Sequence, residues 1–198
     1  MVKEQSNITV SEAIIIVGKQ FYGDKFSLEN KQTKDFYKKI FTSIYKNEKG
    51  IFITGSIGVG KTASMRIMQR LLKDTERRFK WVSGYELKDM SETYTSAEIK
   101  EYYGKSLLCD LYIDDIGFSL DVKRYGNTVN IISEIIMERY DLFITSGYRT
   151  HLSSNIVAYL KNDDGKTPTI EKMYGNRVLD RIKEMCELIV WNGESLRK

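Results

Sequence analysis

The sequence has little of the material that marks secreted, membrane-spanning or metal-clustering proteins. Its 198 residues include two cysteines, one histidine and one proline. Cys109 and Cys186 lack metal-type spacing, and we expect both to be reduced core residues. The longest apolar run, Ala13 to Val17, is far shorter than the ~20 residues that a membrane-spanning helix needs. The N-terminus also lacks the basic-then-apolar order of a signal peptide, so we expect a cytoplasmic protein with no membrane partner.

The overall composition is that of one ordinary folded domain. Apolar residues make up 41% of the chain and charged residues 29%, and no internal repeat or Pro/Ser-rich linker divides it. The net charge of +4 permits contact with an acidic polymer but does not require it, because a solvated surface explains the same excess.

The stretch GSIGVGKT matches the phosphate-loop pattern G-x-x-x-x-G-K-[ST]. The apolar strand pattern Ile51–Thr54 precedes it and an amphipathic helix pattern follows, which is the context that this motif requires. Backbone N–H groups of such a loop surround phosphates, Lys61 adds positive charge, and the Thr62 hydroxyl can ligate Mg²⁺. The predicted ATP-binding residues are Gly55, Ser56, Ile57, Gly58, Val59, Gly60, Lys61, Thr62 and Ala63.

A second segment, LYIDDIG, places two carboxylates at the end of an apolar strand. In a parallel sheet this end lies beside the phosphate loop. Asp114 is therefore the predicted Mg²⁺ ligand with Thr62, and Asp115 is predicted to orient or deprotonate the attacking water. The alternative is a pair of acidic turn residues that cap the next segment.

Hydrophobic periodicity predicts strands that alternate with helices, and hence a parallel sheet covered on both faces. The predicted helices cover 31–46, the segment after the phosphate loop, 128–139, the repeat Leu152, Ile156, Leu160, and 177–185. The predicted strands are 51–54, 80–83, one within 107–115, DLFITS from Asp141, and 188–191. Residues 86–106 are interpreted as two short polar helices or a long excursion.

Five segments together resemble the AAA+ ATPases of the DnaC/IstB group, the helicase loaders and transposition helpers. They are GSIGVGKT, LYIDDIG, RYGNTVNIISEIIMERYD, ITSGYRT and YGNRVLDRIKEMCELIVWNGESLRK. The resemblance implies an α/β, three-layer αβα P-loop NTPase of AAA+ type. It implies a parallel five-stranded sheet in the order 5-1-4-3-2, no separate lid domain, and ATP bound between subunits of a homo-oligomeric ring or spiral. Residues 1–48 are then a short N-terminal extension and lead-in helix, and 49–198 the ATPase domain.

The same resemblance suggests an arginine finger in RVLDR, with Arg181 preferred and Arg177 as the second candidate. Such a guanidinium stabilises transition-state charge on the γ-phosphate of a neighbouring subunit, so a lone protomer is expected to be a weak ATPase. Within its own helix, Arg181 could instead pair with Glu184 or Glu187.

Two sensor positions also follow from the resemblance. Arg197, in GESLR, looks like the sensor-2 arginine that reaches the phosphates of its own subunit. The family usually has Asn or Asp just beyond the fourth strand to sense the γ-phosphate. In FITSGYR that place looks like Gly147, which leaves Thr145 or Ser146 as substitutes and predicts weak sensing or hydrolysis.

Aromatic and basic side chains alternate between the second strand and the acidic pair, in an excursion that faces DNA in related loaders and initiators. Rings can stack on bases while ammonium groups neutralise phosphates, so this composition predicts DNA binding, preferably to single strands. Interspersed carboxylates fit a solvated face equally. The candidates are Tyr85, Lys88, Tyr94, Lys100, Tyr102, Tyr103 and Lys105.

The leading hypothesis is an ATP-hydrolysing protein that assembles on DNA and helps load a replicative helicase. One alternative is a transposition helper that acts with a transposase, and another is an ATP-gated binding module with negligible hydrolysis. The single histidine, His151, is expected to begin a helix and not to act in catalysis.

Overall fold

Helices and strands alternate along most of the chain. The structure, a computed structural model, describes residues 8–118, 120–124, 127–162 and 164–193. The helices are α1 (Val10–Tyr22), α2 (Lys31–Lys46), α3 (Lys61–Leu72), α4 (Gly84–Met90), α5 (Ser96–Lys100), α6 (Ile131–Ser146), α7 (Ile170–Tyr174) and α8 (Asn176–Met185). The strands are β1 (Gly50–Thr54), β2 (Phe79–Ser83), β3 (Asp110–Ile116), β4 (Asp121–Arg124), β5 (Asn127–Asn130), β6 (Thr150–Ser154) and β7 (Cys186–Val190). A π-helical turn, Glu101–Ser106, follows α5.

Five strands form one parallel sheet in the order β2-β3-β6-β1-β7. Numbered among themselves along the chain, these strands have the order 2-3-4-1-5, which is the predicted order viewed from the other edge. The predicted α/β fold and strand order are therefore confirmed. Strands β4 and β5 form a separate antiparallel pair between β3 and α6, which the sequence analysis did not anticipate.

The sheet buries one apolar cluster on each face. Ile51 and Ile53 of β1 belong to the cluster with α1, α2 and α3, whereas Phe52 belongs to the cluster with α6, α7 and α8. This alternation follows from the two-residue side-chain period of a strand. Cys186 is buried, Cys109 is partly buried, and both are free thiols. In the part of the chain that the structure describes, no helix combines the length and apolarity needed to cross a membrane.

Helix α6 is longer than the sequence indicated. It runs through Ser146, so the strand predicted to begin at Asp141 is wrong. Tyr140 and Phe143 pack against the core from this last part of the helix. Gly147 adopts a left-handed conformation with φ of 73° and its N–H donates to the Phe143 carbonyl, which closes the helix. A glycine at this position is a common helix stop.

The fourth strand of the sheet is β6, where a helix containing Leu152 was predicted. That prediction is wrong because four of the five β6 residues are polar, although all five are buried. Their polar groups have partners inside the fold: the Thr150 hydroxyl accepts from Arg139 Nε at 3.1 Å, and the Ser154 hydroxyl donates to the Ile116 carbonyl. A strand stabilised in this way has no apolar alternation for a periodicity analysis to detect.

Two buried arginines fix the entry of β6 into the sheet. Arg149 pairs with Asp110 at the start of β3 and also donates to the carbonyl oxygen of Ile44 at 2.6 Å. Arg139 donates to the carbonyl oxygens of Cys109 and Arg149. These contacts tie α2, β3, α6 and β6 together at the edge of the sheet where the strands begin.

His151 lies within β6 and is fully buried, so the expectation that it begins a helix is wrong. Its Nδ1 accepts a hydrogen bond from the Ile51 N–H at 3.2 Å. Burial, together with the positive charges of Arg149 and Arg139, lowers the pKa of His151 well below its usual value of 6.5. The His151 imidazole is therefore neutral in the folded protein near neutral pH.

This burial predicts a pH dependence of stability. The unfolded chain binds a proton at His151 below pH 6.5 and the folded chain does not. Protonation therefore favours the unfolded chain, and the free energy of unfolding falls as the pH drops below 6.5. Because the chain has one histidine, the free energy of unfolding should fall by about 1.4 kcal/mol per pH unit below pH 6 relative to His151→Asn. Urea unfolding from pH 7.5 to 5.5 measures this difference. Parallel stability curves for the two proteins would contradict it.

Candidate nucleotide-binding site

The loop between β1 and α3 has the backbone conformation that a phosphate cradle requires. Gly58 and Gly60 have φ of 84° and 97°, in the region that favours glycine. Gly60 is the N-cap of α3 and has no side chain with which to cap the first turn of this 12-residue helix. The backbone amides of that turn and the positive end of the helix dipole therefore face the loop, which suits an anion.

Lys61 places its ammonium group inside this loop. The residue is only 6% exposed. Its Nζ donates to the Gly55 and Ser56 carbonyl oxygens at 2.6 and 2.9 Å, and to Asn155 Oδ1 at 2.7 Å. The buried ammonium group therefore lies between the phosphate loop and the end of β6. Phosphate oxygens bound in this loop could replace the carbonyl oxygens as its hydrogen-bond acceptors.

The acidic pair lies directly across from the loop. Asp114 Oδ1 accepts hydrogen bonds from the hydroxyls of Tyr112, Ser153 and Thr62 at 2.5, 2.6 and 3.2 Å. Burial and the Asp114 charge raise the pKa of Tyr112 well above 10, so its hydroxyl remains a donor. The carboxylate is thus fixed beside the Thr62 hydroxyl. These two hard oxygen ligands fit Mg²⁺, which commonly takes few protein ligands and completes its shell with phosphate and water oxygens.

Asp115 occupies an uncommon backbone conformation at the point where β3 leaves the sheet. Its φ is 58°, and the pairing of β3 with β6 shifts register between Ile113 and Ile116. The Asp115 N–H donates to the Ser153 hydroxyl at 2.9 Å, and Asn155 Nδ2 donates to its carboxylate. Strain of this kind persists where the surrounding structure enforces it, commonly at functional sites. Here it turns the two consecutive carboxylates toward different partners.

Asn155 is the residue of this site that the sequence analysis missed. It directly follows β6 and joins Lys61 to Asp115 through the two ends of its amide. The fourth strand of the sheet ends at Ser154, so the residue just beyond it, where the resemblance leads us to expect Asn or Asp, is Asn155. The assignment of that place to Gly147, with Thr145 and Ser146 as substitutes, is wrong.

The misassigned residues lie elsewhere in the fold. Thr145 and Ser146 are exposed in the last turn of α6, and the Thr145 hydroxyl donates to the Asp141 carbonyl of the preceding turn. Asn155 would have been identified as the residue that follows the fourth strand if β6 had been placed correctly, between Gly147 and the turn-rich segment after Leu160.

Trp191, which directly follows β7, contacts the phosphate loop. Its indole Nε1 donates to the Val59 carbonyl at 2.8 Å, and its backbone N–H donates to the Thr54 carbonyl at 2.7 Å. The ring stacks on Phe36 of α2 with centroids 4.0 Å apart. The loop backbone is therefore fixed relative to α2 and to the end of β7.

The arginines of α8 lie apart from these contacts. Arg181 Nη1 is 3.4 Å from Glu184, and its guanidinium lies 4.2 Å from the centre of the Tyr140 ring. Arg177 is exposed in the first turn of the helix. Neither forms a hydrogen bond or ion pair with the phosphate loop or the acidic pair of its own chain, as far as the described residues extend. Arg197 lies outside the described residues.

The aromatic and basic excursion is only partly available to a ligand. Tyr103 is buried, and Lys100 lies 3.9 and 3.5 Å from the carboxylates of Glu134 and Glu138 in α6. Lys105 is also paired with Glu138. Several rings are exposed: Tyr85, Tyr94 and Tyr102.

No protein-family model matches the chain, and no curated protein matches its sequence. Solved structures do match its fold. The DnaC helicase loader is 22% identical, with 87% of this chain and 98% of that chain covered and a TM-score of 0.58. DnaI is 19% identical, with 87% and 88% covered and a TM-score of 0.59. AMPPCP-bound DnaA from Aquifex aeolicus is 18% identical, with 83% of this chain and 47% of that chain covered and a TM-score of 0.52. The chain therefore shares its fold with these solved structures, as the resemblance led us to expect.

Proposed function

We propose that this protein binds and hydrolyses ATP with Mg²⁺ and uses the cycle to help load a replicative helicase in the initiation of DNA replication. The observation that supports the chemistry is a single connected set of contacts. Lys61 donates a hydrogen bond to Asn155, and Asn155 donates one to Asp115. The adjacent Asp114 accepts a hydrogen bond from the Thr62 hydroxyl. These are the groups needed to hold a triphosphate, to ligate a metal and to position a water.

Binding rests on the loop and the start of α3. The backbone amides of the first helical turn and the Lys61 ammonium would donate to phosphate oxygens, and the oxygen atoms of Thr62 and Asp114 would hold Mg²⁺. When bound, the metal neutralises phosphate charge and screens it from the attacking water. The three hydroxyl donors on Asp114 keep its carboxylate oriented, so little reorganisation is required when ATP binds.

Hydrolysis is assigned to Asp115 and Asn155. Asp115 would accept a hydrogen bond from the attacking water and take its proton as the water oxygen bonds to the γ-phosphorus. The bond from that phosphorus to the β–γ bridging oxygen breaks in the same step, and ADP leaves with the electron pair. Asn155 fixes the Asp115 carboxylate and presents its amide near Lys61, where γ-phosphate charge is expected. With Asn155 at this place, the reason for expecting negligible hydrolysis, a glycine at the sensor position, no longer applies.

The biological role rests on the proteins that share the fold. Their names describe a helicase loader, DnaI, and a replication initiator DnaA bound to AMPPCP and single-stranded DNA. Assembly on DNA and a helicase partner are the corresponding proposals for this chain. A transposition helper would use the same nucleotide site, so the partner must be identified by capture of a helicase or a transposase from the native host.

Asn155→Ala is the variant that tests the proposed chemistry. Loss of a preorganised polar group at a site of developing charge costs about 10²- to 10³-fold in kcat, and we expect a loss in this range with little change in KM. The rate of phosphate release, measured with Mg²⁺ over a range of ATP concentrations, gives both kcat and KM. Thr145→Ala/Ser146→Ala is the matched control, because both side chains are exposed at the end of α6, and its turnover should equal that of the unmodified protein.

Two results would overturn this assignment. Equal turnover by Asn155→Ala and the unmodified protein would remove Asn155 from the catalytic set. A loss confined to the Thr145/Ser146 variant would mean that the sensor lies on α6 after all.

A further inference from the structure

The excess positive charge of the chain is concentrated in one short segment. Residues 66–80 contain six Lys or Arg and two Asp or Glu, an excess of four, which equals the net charge of the entire chain. Everything outside this segment contains 25 basic and 25 acidic residues and is neutral overall. The small net charge of the chain therefore comes from one strongly basic segment.

The fold gathers this segment onto one surface. Arg66 and Arg70 project from the exposed side of α3, Lys73 is the C-cap of this helix, and Arg78 lies in the turn before β2. Together with Phe21 at the end of α1 they line a shallow depression of about 340 Å³ that has no acidic side chain in its wall. We call these five residues the α3 basic surface.

The cations of this surface are available to a ligand. Arg66, Arg70 and Arg78 are exposed, and none forms an ion pair with any residue that the structure describes. Lys73 lies 3.5 Å from Asp74, but both side chains are more than half exposed, and such surface pairs are weak. By contrast, Lys100 and Lys105 of the excursion are already paired with α6 carboxylates.

The spacing and the neighbouring rings suit a nucleic acid. Arg66 to Lys73 spans about 10 Å along the helix axis, and a DNA strand carries one phosphate per ~3.4 Å of helix axis. Phe21 is 48% exposed and Tyr22 is 41% exposed beside these cations. Cations that follow a backbone together with exposed rings on which bases stack are typical of single-strand binding surfaces.

We propose that the α3 basic surface binds the sugar-phosphate backbone of a nucleic acid. The choice of DNA as the polymer rests on the proposed function, whereas binding of the polymer does not require bound ATP. It places the contact on the exposed side of the helix that begins with Lys61, and not on the aromatic excursion between β2 and β3.

The test is salt-dependent binding of labelled DNA, single-stranded and duplex, by fluorescence anisotropy. Each phosphate contact contributes about 0.7 to the slope of log K against log salt for single strands and about 0.9 for duplex. Arg70→Gln/Arg78→Gln should therefore flatten the slope by roughly 1.4 or 1.8, which corresponds to binding weakened about 25- or 60-fold at 0.1 M salt relative to a 1 M reference. Lys46→Gln/Lys49→Gln removes the same charge from another exposed region and should leave the slope unchanged.

Three outcomes would overturn the proposal. Equal slopes for Arg70→Gln/Arg78→Gln and the unmodified protein would exclude the surface. A loss seen instead in Tyr85→Ala/Lys88→Gln would place the contact on the excursion. Absence of DNA binding at low salt would leave an acidic protein as the partner of this surface.

The proposal and the nucleotide chemistry can fail separately. ATP binding measured on the same preparations reports on the phosphate loop alone, so DNA binding without ATP binding rejects only the ATPase. Equal unfolding midpoints for both double variants show that lost charge, and not lost structure, causes any change.

Discussion

Arg181→Ala is expected to lower ATP turnover in the assembled protein by about 10³- to 10⁵-fold, the range measured for arginine fingers. Its ATP affinity should change little, because Arg181 does not contact the nucleotide site of its own chain. The pair with Glu184 at 3.4 Å is partly exposed and is worth at most about 1 kcal/mol. That is small beside the ~4 to 7 kcal/mol to which this rate loss corresponds, so the guanidinium can leave Glu184 for a neighbouring γ-phosphate.

The matched comparison is Arg177→Ala, one turn earlier on the same face of α8. We expect a small effect there. A reversed pattern, with a large loss at Arg177 and none at Arg181, would assign the finger to Arg177 and contradict the preference for Arg181. No loss in either variant would contradict a finger on α8.

Mixing two inactive variants tests whether the finger acts between subunits. Arg181→Ala protomers keep an intact nucleotide site, and Lys61→Ala protomers keep an intact arginine. If ATP lies between subunits, a mixture should recover part of the turnover that neither variant shows alone, and turnover per unmodified protomer should rise with protein concentration. Failure to recover activity at any mixing ratio would show that neighbouring subunits do not complete the site.

Asp115→Asn is expected to remove hydrolysis while ATP still binds. A positioned general base contributes about 10²- to 10⁴-fold, and the amide cannot accept the water's proton as a carboxylate does. Asparagine is the suitable replacement because it tolerates the positive φ of 58° at this position, so the backbone should keep its conformation. Single-turnover hydrolysis, with ATP affinity measured in parallel, separates the chemical step from binding.

The control for Asp115→Asn is Asp114→Asn. Asp114 holds the metal and accepts three hydroxyl donors, so its replacement should weaken Mg²⁺-dependent ATP binding as well as turnover. Identical effects of the two substitutions on affinity and rate would contradict the separate roles assigned to the two carboxylates.

The local signals in the sequence were sufficient for most of the sheet. Helix α2 was predicted with its observed bounds because its apolar stripe is regular, with Asn30 as the N-cap. The phosphate loop between β1 and α3 was placed by motif and flanking pattern together. Thr62 and Asp114 could be expected to meet because parallel strands end at the same edge of a sheet.

The errors arose where tertiary contacts override local pattern. Strand β6 is polar and buried, so its character depends on partners such as Arg139 and Asp114 that are distant in the sequence. The apolar residues before Gly147 fit either a strand or a helix, and the packing of Phe143 against the core favours the helix. Because β6 was misplaced, Asn155 was missed and a glycine was assigned to its position. The hairpin β4–β5 had likewise no clear signal.

Each proposed step of the reaction requires that the loop after β1 binds Mg·ATP through Lys61. Calorimetric titration of Mg·ATP into the unmodified protein and into Lys61→Ala tests it most directly, because binding precedes every later step. We expect saturable binding of one nucleotide per chain, weakened when Mg²⁺ is chelated and lost in Lys61→Ala. Absence of binding at millimolar ATP, or equal affinity in the two proteins, would contradict it.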